Sequence, residues 1–77
     1  MGDRPARSGF LVRRDDVTGL SGVGRVAWIV QFPDGPCVVR WCVSEVRQTA
    51  VFASLNDVLA VHGHDGRTVV EWGDDYG

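Results

Sequence analysis

Residues 23–43, VGRVAWIVQF-PDG-PCVVRWCV, constrain the fold more than any other stretch of the chain. Two runs with apolar residues at every second position flank a Pro-Asp-Gly triplet. This is the pattern of two half-buried strands joined by a tight hairpin. Pro33 presets its own φ, and Gly35 supplies a backbone conformation that other residues resist. On the first run, 23–32, Val26, Trp28, Val30 and Phe32 alternate with Arg25, Ala27, Ile29 and Gln31. On the return run, 36–43, Val39, Trp41 and Val43 share one face, and Val38, Arg40 and Cys42 the other.

The rest of the chain adds elements around this hairpin. GFLVRR (9–14) reads as an earlier strand, with Phe10 and Val12 on one face and Leu11 on the other. Paired aspartates and interspersed glycines make 15–22 a loop. After the polar stretch 44–48, TAVFAS (49–54) reads as a short fourth strand. The period then changes. Ser54 suits an N-cap, and Leu55, Val58, Leu59 and His62 fall at i, i+3, i+4 and i+7, one face of a two-turn helix. Gly63 stands where a C-cap glycine belongs. RTVVEW (67–72) is a last strand, with Val70 and Trp72 on one face. The order β-β-β-β-α-β predicts a mainly β fold, a small SH3-like barrel of about five strands with one short helix before the last. Its first and last strands would close the sheet and remove exposed edges. An OB-type barrel fits less well, because its helix usually falls between the third and fourth strands.

With 77 residues there is room for one domain, read here as 9–73, between a disordered arm (1–8) and an acidic tail (74–77). A chain this short buries only about 60% of its unfolded surface, so its core is thin. A separate substrate lobe does not fit, which argues against an enzyme. No apolar run approaches the roughly 18–20 residues of a membrane span. The basic start has no apolar stretch behind it, so a secretory signal is not expected and a cytoplasmic location is. Cys37 and Cys42, five apart on one strand, would be separated by about 16 Å and point to opposite faces, so both are expected as free thiols. All eight basic residues are arginine, which points to a GC-rich genome. Residues 1–14 carry four Arg and Asp3, a net +3, whereas 57–77 carry five acids and Arg67, a net −4.

Several segments could carry chemistry. In VHGHDGR (61–67), His62, His64 and Asp65 could ligate a metal only if all three curled inward, since such a site needs at least three protein ligands. A structural turn is the plainer reading. There, His62 benefits from the helix C-terminus, while His64 caps carbonyls or packs on Trp72. TGLSGVGR (18–25) is glycine-rich but has neither phosphate-loop spacing nor a lysine, and a strand follows it rather than a helix. Asp15 and Asp16 are adjacent and make a poor acid/base pair. No Ser or Cys has a histidine at a recognisable spacing. No catalytic, metal or cofactor site is therefore expected, and neither is a small-molecule substrate or a membrane partner.

Binding surfaces are better candidates. Three tryptophans are many for a core this thin. Alternation buries Trp41 and Trp72. It would bury Trp28 too, unless a bulge after Gly24 turned it outward. An exposed Trp28 beside Ile29 would form an aromatic-apolar patch of the kind that marks an interface. Arg13, Arg14, Arg25, Arg40 and Arg47 around Trp28 or Trp41 could instead form a nucleic-acid groove. The pI near 5.5 opposes that alternative.

Four segments also agree in order with a larger pattern: Ser21, Gly22, Gly24, Val26 and Ala27; Phe32, Asp34 and Gly35; Arg40 and Trp41; then Ser54, Asp57, Val58, His62, Gly63, His64, Gly66, Thr68 and Trp72. In this the chain resembles a group of short proteins from actinobacteria and their phages. The resemblance implies a phage or prophage accessory protein and brings no activity with it. The reading is a non-enzymatic protein that binds a protein partner, a host factor or itself, with nucleic acid as the alternative. Trp28, Ile29, Arg25, Arg40, His64 and Asp65 are the candidate interface.

Overall fold

The structure, a computed structural model, describes residues 4–14, 24–43, 45–63, 66 and 68–73. It contains β1 (Arg7–Arg13), β2 (Gly24–Gln31), β3 (Cys37–Trp41), β4 (Thr49–Phe52), α1 (Leu55–His62) and β5 (Thr68–Trp72). The fold is mainly β, with the helix before the last strand as its periodicity requires. Strand β1 begins two residues earlier than the sequence pattern suggests, because Arg7 and Ser8 pair with Gln31 and Val30. The proposed arm therefore gives its last two residues to the sheet. Residues 1–3, 15–23 and 74–77, which include the expected loop (15–22) and acidic tail, lie outside the described residues.

All four strand pairings are antiparallel, in the order β4-β3-β2-β1-β5. The first and last strands do pair, but the expected closure does not follow: β4 and β5 are the two edges of an open sheet. The helix accounts for this. α1 packs against both edge strands, and its Val58 is fully buried in the core. It occupies the space in which β4 would have to approach β5.

The hairpin between β2 and β3 turns on Pro33 and Asp34. Gly35 N donates to Phe32 O at 3.0 Å, and Gly35 holds φ of 120°. The helix starts as its composition dictates: Ser54 is extended, and its Oγ accepts from Asp57 N at 3.1 Å. It ends at the expected C-cap, Gly63, but in a different conformation. Gly63 remains right-handed at φ −72°, and the left-handed residue of the reversal is Gly66, at φ 88°. Gly63 is needed because a Cβ there would run into Leu59 O. Its carbonyl accepts from both Gly66 N and Thr68 N, which carries the chain into β5.

The core is one layer deep. Leu11, Val26, Ala27, Ile29, Cys37, Val39, Val58 and Trp72 are buried, with Trp41, Phe52, Leu55 and Val70 packed at its margin. Burying a side chain such as Leu11 or Ile29 contributes roughly 1.5–3 kcal/mol. The cross-strand row Trp72–Gly9–Ile29–Val39–Ala50 lies on this inner face. Gly9 is the close point: a Cβ would collide with Glu71 O and lie 2.8 Å from Trp72 Cα. Backbone cannot yield there as a flexible side chain would, and glycine inside a strand marks such an approach. Gly9→Ala is expected to destabilise the fold by about 3 kcal/mol, read as a lower urea midpoint at unchanged slope. A midpoint equal to wild type would mean that β1 and β5 do not meet this closely.

Candidate functional site

The position of Trp28 depends on one extra residue in β2. Leu11 pairs with Ala27 and Val12 with Arg25, which leaves Val26 without an opposite number on β1. Two β2 residues therefore span a single step of β1, which is a β-bulge. Val26 and Ala27 are consequently both buried, a result simple alternation cannot give. Beyond the bulge the parity is inverted, so Ile29 is fully buried and Trp28 stands outward, 42% exposed. The outward placement of Trp28 matches the bulged form of the sequence pattern. The expectation of Ile29 beside it on the surface is corrected, because adjacent strand residues face opposite ways.

Outward from the core, direct strand partners line up as Glu71–Phe10–Trp28–Arg40–Thr49, a row crossing all five strands. The next row is Ser8–Val30–Val38–Val51. Phe10, Val30 and Val38 are half-buried, whereas Val51 and Phe32 are exposed. An aromatic band and an aliphatic band thus lie side by side on the face away from the helix.

Arginines surround this apolar centre. The Arg25 guanidinium lies 4.5 Å from the Phe10 ring centroid and forms an ion pair with Glu71 Oε1 at 2.8 Å. Both partners of that pair are substantially exposed, so it contributes at most about 1 kcal/mol. Its effect is to hold Arg25 over Phe10. Arg47 reaches over the Trp28 ring, 5.6 Å from its centroid. Arg40, beside Trp28 on β3, donates to Thr49 Oγ1 at 2.7 Å. Neither Arg40 nor Arg47 meets a carboxylate among the described residues.

The sheet thus brings together Arg25, Trp28 and Arg40 from the candidate set. Ile29 belongs to the core, and His64 and Asp65 lie outside the described residues. Phe32, grouped by alternation with Val26, is exposed because it keeps the outward phase of Trp28 beyond the bulge, and Val43, grouped with Val39, is exposed beyond the end of β3 at Trp41. Phe10, Val38 and Val51 were left out of the candidate interface. Val38 shares a strand face with Arg40, and Val51 with Thr49, and that spacing of two is the signal that could have placed them on the outer face.

On the inner side, His62 packs edge-on against Trp41 at 4.8 Å and Phe52 at 5.8 Å between centroids. That contact ties the end of α1 to β3 and β4, so His62 has a structural task. Trp72 is buried under the Arg7 guanidinium, 4.1 Å from its ring. Cys37 and Cys42 are free, and burial pushes the Cys37 thiol above its ordinary pKa. A concavity of about 600 Å³ runs between α1 and β5, lined by Leu55, Leu59, Ala60, Val69 and Val70 among others.

A family model described as Acb5 phage protein matches residues 6–74. The chain belongs to this family. The match takes in all five described strands and the helix. No match emerged among curated proteins or among solved structures. Among the described residues, no helix is long and apolar enough to cross a membrane.

The bulge separates two adjacent side chains by their energetics. Ile29→Ala is expected to cost about 2–5 kcal/mol through the cavity it leaves. Trp28→Ala, with more side chain removed but from the surface, is expected to cost about 1 kcal/mol. Urea unfolding of the two variants checks the order, and a larger loss for Trp28→Ala would refute the bulge.

Proposed function

We propose that this phage protein acts without catalysis, by binding a protein partner through the outer face of its sheet in the cytoplasm of an actinobacterial host. The observation that carries the reading is the apolar outer face centred on exposed Trp28. Contiguous apolar surface of this kind marks interaction sites, and Trp and Arg are the side chains enriched where binding energy concentrates. The host assignment is supported by the sequence resemblance and the lysine-free composition. The same reading takes the fold as an open relative of SH3-like barrels, supported by the β1–β5 pairing and the short helix before β5.

Nucleic acid is the second reading, favoured by the arginines over Phe10 and Trp28, since aromatic rings with basic neighbours can stack bases. The valine row weighs against it. Val30, Val38 and Val51 offer a base no stacking plane and no hydrogen bond, yet form a cross-strand row beside the aromatic one. A protein side-chain layer would cover them.

The two readings separate in one pair of experiments. Capture from host lysate should return a stoichiometric protein with the wild type and lose it with Trp28→Ala, whose circular dichroism stays that of the wild type. Short single-stranded DNA and RNA should show no salt-dependent binding. A steep loss of oligonucleotide affinity with added salt would favour the nucleic-acid reading instead.

A further inference from the structure

Resting on the sheet-face reading above, we propose that the partner presents an acidic, apolar surface, and that a second copy of this chain is not the occupant. The charge layout of the face carries the argument. Three arginines, Arg25, Arg40 and Arg47, attend the aromatic row, and Glu71 is the row's single carboxylate. Three positive charges and one negative leave two in excess, in a chain whose formal net charge is −2. Glu71 is engaged by Arg25, so the excess resides on Arg40 and Arg47.

These two side chains stand close to the apolar centre. Arg47 lies over the Trp28 ring, and Arg40 is the direct cross-strand partner of Trp28. Any surface that covers Trp28 must therefore remove water from at least part of both guanidinium groups. A charged group losing water without a counter-charge is costly, and an arginine fork is suited to a planar carboxylate.

The outer face of a second copy brings no such counter-charge. Face-to-face pairing of two identical outer faces would bring four uncompensated arginines into one seam, and its carboxylates are already held by each copy's own Arg25. Like charges juxtaposed at an interface cost several kcal/mol. A partner with Asp or Glu flanking large apolar side chains satisfies every group on the face. Its apolar centre covers Trp28 and the valine row, and its carboxylates meet Arg40 and Arg47.

The test is selection of a displayed library of random short peptides on the full chain. Anisotropy titration of the enriched peptides then follows, with the wild type, Trp28→Ala and the double variant Arg40→Glu with Arg47→Glu. Enriched peptides should combine Asp or Glu with aromatic or aliphatic residues. Their affinity should fall about tenfold or more in the charge-reversed variant. Arg40→Gln with Arg47→Gln should lose affinity in the same direction, guarding against misfolding of the reversed form. Sedimentation should give a monomer.

Enrichment of neutral or basic peptides, or equal affinity for the charge-reversed variant, overturns the acidic partner. If that binding still depends on Trp28, the sheet-face reading survives. Peptide binding indifferent to Trp28→Ala sinks both. No enrichment, or tighter binding of oligothymidylate than of any selected peptide, overturns the proposal in favour of a different class of ligand. A dimer abolished by Trp28→Ala would restore the second copy as the occupant.

Discussion

The extra residue at Val26 organises both sides of the sheet. Before it, Arg25 faces outward over Phe10; after it, Trp28 faces outward as well, although three positions separate them. An unbulged strand would place these two on opposite faces. The bulge therefore brings arginine and tryptophan together, and it also sends Val26, Ala27 and Ile29 into one core. The interior and the candidate interface are two consequences of a single irregularity.

A second constraint is the shortage of chain to cover the sheet. One eight-residue helix lies across the inner side, held by Val58 in the core and by His62 against Trp41 and Phe52. Among the described residues no element is laid over the outer side. Apolar side chains there have no core to join, so Trp28, Phe32 and Val51 remain in contact with solvent. Gly9 allows β1 and β5 to approach closely on the inner side, and this leaves Glu71 beside Phe10 and within reach of Arg25.

The elements were legible because each is specified locally. Alternation marked the strands, Pro33 to Gly35 marked the hairpin, and Ser54 with the spacing of Val58 and His62 marked the helix. The site was legible in part. Trp28, Arg25 and Arg40 share a face, but Ile29 was misplaced, because a strict period of two cannot register an inserted residue. Val51 was passed over, because a four-residue strand has too few positions to show which phase is inward. The closure of the sheet was misjudged for a different reason: whether β4 meets β5 depends on where the helix lies, and no spacing within the chain records that.

What the amino-acid order determined by itself is the succession of strands, turn, helix and strand, since propensity, periodicity and capping act over a few residues. It also set the exclusive use of arginine over lysine for positive charge, which any binding face must then employ. Tertiary structure decided which side of β2 is inside, that the sheet stays open, and which arginines stand beside Trp28. Those outcomes depend on pairing between β2 and strands up to tens of residues away, and on how the helix fills the space between β4 and β5. The physical reason is that face and register are properties of a pair of strands, never of one.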